Sequence, residues 1–370
     1  MPNALGAALS WVYGRAVSIR NGWYDVNAGR RLDRPVISVG NLSVGGTGKT
    51  PMVAHLARWL REAGRTVAVA LRGYRAPGGN PSQSDEALLY ARTLPGVMLA
   101  IGPDRHAELK ELFTTRRGMT CDCVLLDDGF QHRRLARDLD LVLIDATRDP
   151  FKDRLLPAGW LREPVSSLAR ASAVIVTRAD TLDPASREAL GKAVASAHGK
   201  PPLAWCSHRW ESLVTGEGLA ERTLPVGWLK GRRAVAACAI GNPAAFVGRI
   251  EQDAGVVGRV ILRDHDPFAP ATLDRIARAA REGQAEVIVV TEKDWVKLRE
   301  LPADRFPCPV LRPRLGLTFL SGEGALHDLV VGTARSFKPV KPATKDGRPG
   351  GQPPGATITR PLRSGDGPAT

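Results

Sequence analysis

From residue 36 onward the chain alternates short aliphatic runs with longer stretches whose apolar positions recur at helical spacing. VISV (36–39), TVAVAL (66–71), CVLLDD (123–128), LDLVLIDA (139–146) and SAVIVTRAD (172–180) show little alternation of polar and apolar residues. Runs of this kind belong to strands buried on both faces. TPMVAHLARWLREAG (50–64) follows the first run as an amphipathic helix stopped by Gly64, and SDEALLYARTL and PDRHAELKELFTTRRG predict two more helices. Strands and helices in alternation predict a parallel sheet with helices on both faces.

A second set begins after residue 205. RWESLVTGEGLAERTLP (209–225) predicts a hairpin or irregular linker, after which RRAVAACAIGNPAAFVGRIEQDAG and VVGRVILRDHDPF repeat strand, helix and strand. PATLDRIARAAREG, AEVIVVTEKDWVKLREL and a helix near 323–335 complete a smaller α/β unit. Past Ser336 the chain is Pro, Gly, Lys and Thr without period, a composition that does not build a packed core. The pattern divides the chain into an N-terminal segment 1–34, a first α/β domain 35–205, a linker 206–232, a second α/β domain 233–335 and a basic tail 336–370.

In the first segment, Leu5, Leu9, Val12, Ala16 and Ile19 recur at helical spacing, beside Trp11, Tyr13, Trp23, Tyr24, Arg15, Arg20, Arg30 and Arg31. Gly6, Ser10, Gly14 and Arg15 interrupt it, so it is too short and polar to span a bilayer. Two readings fit: a helix packed on the body, or one lying on an anionic membrane surface.

Charge sharpens this. The 370 residues carry a formal net charge of +14. Six Lys/Arg in the tail face only Asp346 and Asp366, so most of the excess lies in the body. An anionic partner follows: nucleic acid, anionic lipid or a phosphorylated substrate. No nucleic-acid-binding motif is present, so that partner is not expected, and no obligate protein partner is evident. Attraction of the tail to a membrane surface is an expectation that deleting residues 336–370 would test. Cys121, Cys123, Cys206, Cys238 and Cys308 lack the paired spacing of a zinc site, and their odd number fits a reducing compartment.

The candidate chemistry lies in SVGNLSVGGTGKTP (38–51). It departs from G-x-x-x-x-G-K-[ST] only at Ser43, where the first glycine would stand. Ser43, Val44, Gly45, Gly46, Thr47, Gly48, Lys49 and Thr50 lie between a strand and a helix, where successive N–H groups form an anion nest at the helix's positive end. Lys49 would reach the β- and γ-phosphates of ATP and the Thr50 hydroxyl would ligate Mg²⁺. The second acidic element that such a loop needs is Asp127-Asp128, at the end of CVLLDD on the same sheet edge. Three readings compete. A partitioning-type ATPase would carry lysine where Val44 stands. A GTPase would carry N-K-x-D, of which TRAD (177–180) is a faint echo, and it could serve as a membrane nucleotide switch. The third is a kinase with a non-protein acceptor.

SVGNLSVGGTGKTP, RGY, SDEALL, DDGFQHRRLARDLDLVLID, LPAGWLRE, IGNP and TEKDWVKL occur in the order found in the tetraacyldisaccharide 4′-kinase family, which the chain resembles from about residue 10 to 335. The resemblance implies two P-loop NTPase-type α/β domains, an N-terminal helix on the cytoplasmic face of the inner membrane, and MgATP-dependent phosphorylation of an acylated glucosamine disaccharide 1-phosphate, a lipid A precursor. It further implies that Asp85 is the base for the 4′-hydroxyl, partnered by His265 of the second domain. Lys49 and Arg105 would neutralise charge, Asp127 and Asp128 would hold the metal with Thr50, and Tyr74, His132, Arg162 and Glu163 would line the acceptor pocket. Ser84 and Ala87 flank the Asp85-Glu86 pair where the family usually carries Gly and Pro.

Overall fold

The computed structural model describes residues 4–27, 29–73, 84–216, 221–264, 266–299, 301–302 and 304–338. Tyr74, His265 and the tail beyond residue 338 lie outside the described residues.

The chain opens with helix α1 (Ala4–Val26). The first α/β lobe comprises β1 (Val36–Asn41), α2 (Lys49–Glu62), β2 (Val67–Leu71), α3 (Asp85–Thr93), β3 (Met98–Ile101), α4 (Arg105–Leu112), β4 (Cys123–Asp127), β5 (Leu139–Asp145), β6 (Ala173–Thr177) and α5 (Pro184–His198). A long strand β7 (Ala204–Thr215) and the short β8 (Arg222–Leu224) lead to the second lobe: β9 (Arg233–Cys238), α6 (Pro243–Glu251), β10 (Gly255–Ile261), α7 (Pro270–Glu282), β11 (Val287–Val290) and α8 (Glu292–Leu298). Strand β12 (Val310–Ser321) and helix α9 (Glu323–Ser336) return to the first lobe.

Among the described residues twelve strands join one sheet in the order β10-β9-β11-β12-β7-β6-β5-β1-β4-β2-β3, with β8 beside β7. Within each lobe neighbouring strands are parallel, and the inner strands β1, β2, β4, β6 and β11 are buried throughout, as continuous aliphatic runs require, whereas the edge strands β3 and β10 are only partly buried. The two lobes meet at the antiparallel pair β7–β12. Only the first residues of β7 pair with β6, at Ile175↔Ala204, and only the first of β12 pair with β11, at Ile288↔Val310. The ribbon between therefore reverses strand direction from one lobe to the other, and the carboxyl edges of both half-sheets face a common cleft. Ligands of open α/β sheets collect at such edges.

Helix α2 buries Met52, Val53, Leu56 and Leu60 against β1, β2 and β4, and α9 covers it with Leu326, Val330 and Ala334. Each fully buried Leu, Met or Val here stabilises the fold by ~1.5–3 kcal/mol. The loop before α2 thus rests on a rigid helix held from both ends of the chain.

Candidate active site

Strand β1 lies between β4 and β5, so the loop after it opens over the centre of the first half-sheet. Gly45 has φ +111° and Gly48, which precedes α2, has φ +85°; both are left-handed conformations that glycine adopts without cost. A Cβ on Gly48 would also lie 2.4 Å from His208 Nε2, on β7. Ser43 is not among the residues with positive φ; it bridges to Leu161, while Val44 N–H donates to the Trp160 carbonyl at 2.8 Å. No glycine is needed there, which explains why the missing motif glycine leaves the loop intact. The loop's far side is held by TRAD. Thr177 donates to the Thr47 carbonyl at 3.0 Å, and Arg178, at φ +52°, donates to the Gly46 carbonyl at 2.8 Å while pairing with Asp145. The residues that echo a base-reading motif therefore fix the phosphate loop's backbone.

At the end of β4 stand the two aspartates, in contrasting environments. Asp128, at φ +51°, accepts from Arg162 at 2.7 Å and lies 3.3 Å from Lys49 Nζ, which also donates to Asn41 Oδ1 at 3.1 Å. Burial acts to raise the Asp128 pKa, but Lys49 and Arg162 outweigh it and carry the carboxyl down to about 2. Asp127 is buried; the Tyr90 hydroxyl donates to its Oδ2 at 2.7 Å and its Oδ1 has no partner. Burial, then the Glu86 charge, raise it to about 7 against Lys49 and Tyr90. A buried carboxylate with a bare oxygen, raised by desolvation despite Lys49, is one that a further positive charge would stabilise. Asp127, Asp128 and the Thr50 hydroxyl are hard oxygen donors suited to Mg²⁺, which keeps waters and needs few protein ligands.

Arg105 opens α4 and is buried; it donates to His132 Nδ1 at 3.3 Å. Burial and then the Arg105 charge lower the His132 pKa to about 4, so the ring is neutral. With Nδ1 accepting, the proton sits on Nε2, which is buried without a partner. Arg162, Asp128, Lys49, Arg105 and His132 thus converge on one edge. Glu163 differs: it is fully buried, taking Arg20 at 3.0 Å, Asn21 at 3.0 Å and Arg170 at 2.8 Å. Its carboxylate clamps α1 to the body, and Tyr13 of α1 donates to the Arg162 carbonyl at 2.9 Å.

Asp85 is the first residue of α3, the helix whose Tyr90 touches Asp127. Ser84 caps that helix by accepting from Ala87 N–H at 3.4 Å, a bond that proline at 87 would lack. The departure from the family pattern is thus self-consistent. Across the cleft, a Cβ on Gly241 of the IGNP loop would lie 3.9 Å from the Gly46 nitrogen and 4.0 Å from Asp264, which pairs with Lys293 at 3.1 Å. Lys297 of α8 meets Asp85 itself at 3.1 Å. Asn41, Tyr90, Arg178, His208 and Lys297 escaped sequence reasoning. Arg178 had a local signal in TRAD, and Asn41 and Lys297 lie within the motifs SVGNLSVGGTGKTP and TEKDWVKL without a role read from them.

The sequence profile of the tetraacyldisaccharide-1-P 4′-kinase family matches residues 3–330. A tetraacyldisaccharide 4′-kinase of Geobacter metallireducens is 38% identical over 316 residues, covering 80% of this chain and 88% of that one. One from Pelobacter propionicus is 37% identical over 289 residues, covering 73% and 75%. The crystal structure of Aquifex aeolicus LpxK in complex with ATP is similar with a TM-score of 0.68 at 27% identity, over 88% of this chain and 98% of that one. With its glycine loop facing a pair of aspartates, and with these matches spanning most of both lengths, the chain belongs to the tetraacyldisaccharide-1-P 4′-kinase family.

Proposed function

We propose that the protein transfers the γ-phosphoryl group of ATP to the 4′-hydroxyl of an acylated glucosamine disaccharide 1-phosphate, in lipid A biosynthesis. The observation that carries this reading is the convergence of Lys49, Asp128 and the bare oxygen of Asp127 beneath the phosphate loop. Transfer of a phosphoryl group needs positioning and charge neutralisation more than covalent chemistry. The loop's N–H groups and Lys49 would cradle the β- and γ-phosphates. Mg²⁺ held by Thr50, Asp127 and Asp128 would neutralise charge spread over the phosphate oxygens. A cavity of about 660 Å³ beginning beside His208, and lined by Asp180, Ser207, Trp210 and Arg249, has the volume to take the nucleoside.

Asp85 would accept the proton of the 4′-hydroxyl, with His265 as its partner from the second lobe. Arg105 would add positive charge, and His132 Nε2, Arg162 and Tyr74 would bind the acceptor, with Glu163 holding the Arg162 segment in place. Leu9, Trp11, Val12, Ile19, Trp23 and Val26 are exposed on α1, and Trp160, on the segment where α1 docks, is exposed too. That surface supports a peripheral position on the cytoplasmic face of an anionic inner membrane. Among the described residues no helix is long and apolar enough to cross a membrane.

The test is ³²P transfer from γ-labelled ATP to an acylated glucosamine disaccharide 1-phosphate, with Asp85→Ala alongside. Labelled lipid from the wild type, falling about 10²–10⁴-fold in the variant, is the expected result. Steady phosphate release that needs no acceptor, without labelled lipid, would overturn the kinase reading in favour of a nucleotide switch.

A further inference from the structure

Helices α3 and α8 meet across the two lobes and run antiparallel, with an ion pair at each end of the contact. Arg92, in the last turn of α3, meets Glu292, the first residue of α8, at 3.0 Å. At the other end Lys297, in the last turn of α8, meets Asp85, the first residue of α3, at 3.1 Å. The two ends differ in character. The Arg92 end is a crowded cluster around the buried Arg312: Glu221 accepts from Arg92 at 2.6 Å and from Arg312 at 3.1 Å, and Arg312 reaches Glu292 at 3.3 Å. That end holds the lobes together.

The Lys297 end is screened to a similar degree. Its side chain is 13% exposed and that of Asp85 16%, enough to screen the pair from bulk water while leaving the carboxylate within reach of a substrate. The Lys297 ammonium also donates to the Asp266 carbonyl at 2.8 Å and lies 5.7 Å from the Phe268 ring centre. Asp266 adjoins His265 in sequence, so one ammonium ties the candidate base to the loop that carries its candidate partner. A lysine used only for stability would not need to end on this carboxylate.

We propose that Lys297 is a positioning residue for phosphoryl transfer. From the opposite lobe it fixes the Asp85 carboxylate in the orientation that receives the acceptor's proton; this rests on the reading of Asp85 as the base. As the acceptor oxygen bonds to the γ-phosphorus and the bond to the β-bridging oxygen breaks, the hydroxyl proton passes to Asp85 and ADP departs. Lys297 exchanges no proton. It sets only where the accepting oxygen stands.

The experiment compares Lys297→Met, Lys297→Arg, Asp85→Asn and the Lys297→Met/Asp85→Asn pair in full-length protein. The labelled-ATP assay with the acylated disaccharide 1-phosphate supplies kcat and KM for ATP, and thermal melting reports folding. Lys297→Met is expected to lower kcat roughly 10- to 100-fold, the cost of a misplaced reacting group, with KM for ATP changed less than about twofold. Lys297→Arg should recover most of the loss, and the double variant should be no slower than Asp85→Asn. Wild-type kcat in Lys297→Met beside an inactive Asp85→Asn would overturn the proposal and leave the base assignment standing. Losses that multiply in the double variant, or equal losses in both lysine variants with a matching fall in melting temperature, would also overturn it. If Asp85→Asn itself turned over normally, the base assignment would fall, and the proposal with it.

Discussion

Gly48→Ala is the substitution whose cost follows most directly from geometry. A methyl group at this position would lie 2.4 Å from His208 Nε2 and 2.6 Å from Cε1, on a backbone at φ +85°. The left-handed conformation alone costs a non-glycine residue ~1–2 kcal/mol. Forcing a methyl into a packed contact adds ~1–3 kcal/mol, so the variant should lose ~2–5 kcal/mol unless the loop shifts. A shift would misplace the N–H groups proposed to cradle phosphate, and KM for ATP should rise. The second variant is His208→Ala, which removes the clashing ring but leaves φ unchanged. In a double-mutant cycle read by urea denaturation, the pair should be ~1–3 kcal/mol less destabilised than the sum of the singles. Strictly additive losses would refute the claim that His208 sets the space at Gly48. A Gly48→Ala protein within about 0.5 kcal/mol of wild type would refute the strain as well.

Three histidines each contribute a pH dependence of stability whose sign can be worked out. Burial, followed by Arg58, Arg105 and Arg178 respectively, lowers His55, His132 and His208 from 6.5 to about 4. Between these values the unfolded chain binds more protons than the folded one, so each contributes stability that is complete above pH 6.5 and lost as pH falls towards 4, at most ~3 kcal/mol per ring. Asp127 and Glu292, whose carboxyls burial raises to about 7, act in the opposite sense over the same window, so the readout is a difference: the urea midpoint of His132→Gln should fall less from pH 7 to 4 than that of the wild type, and identical pH profiles would contradict the assignment. Glu163→Gln leaves Arg170 facing a neutral partner in a buried site and should cost ~3–5 kcal/mol, with Arg20, 41% exposed, adding little; limited proteolysis should then cut within α1 faster, and an unchanged rate would show that the clamp does not hold it. Trp11→Ser/Ile19→Ser removes two side chains 69% and 73% exposed and should weaken flotation with anionic vesicles at least about 100-fold, whereas unchanged partitioning would leave α1 as a packing helix.

What the sequence disclosed and what it hid divide along a physical line. The glycine loop, Asp127-Asp128 and the aliphatic strands were legible because each is a local pattern: a turn, a helix start, a buried run. Strand β3 is only four residues long and α5 opens on Pro184, so neither stood out against its surroundings. Strand β12 contains Pro313 and Gly316, residue types that interrupt a strand pattern, so its stretch does not read as one run. Glu163 was expected beside the acceptor pocket, and its neighbours Arg20, Asn21 and Arg170 come from two separate segments that nothing in LPAGWLRE announces. Tyr90 and Lys297 were hidden for the same reason. Their partners Asp127 and Asp85 lie across a sheet order that no single stretch of chain encodes.

That sheet order also explains how one site can draw on both lobes. Had β7 and β12 been parallel, the carboxyl ends of the second half-sheet would point away from the phosphate loop, and no side chain of α8 could reach α3. Because the ribbon is antiparallel, Gly241 comes to lie opposite Gly46, and Lys297 opposite Asp85. The β7–β12 register fixes these pairings together, since a shift along the ribbon would move every second-lobe loop past the first-lobe edge. His208 lies on that ribbon and touches Gly48, so the strand that sets the lobe register also carries the ring against which the phosphate loop packs. Loop geometry and lobe register therefore share one structural element, and a change in β7 should perturb ATP binding and second-lobe placement together.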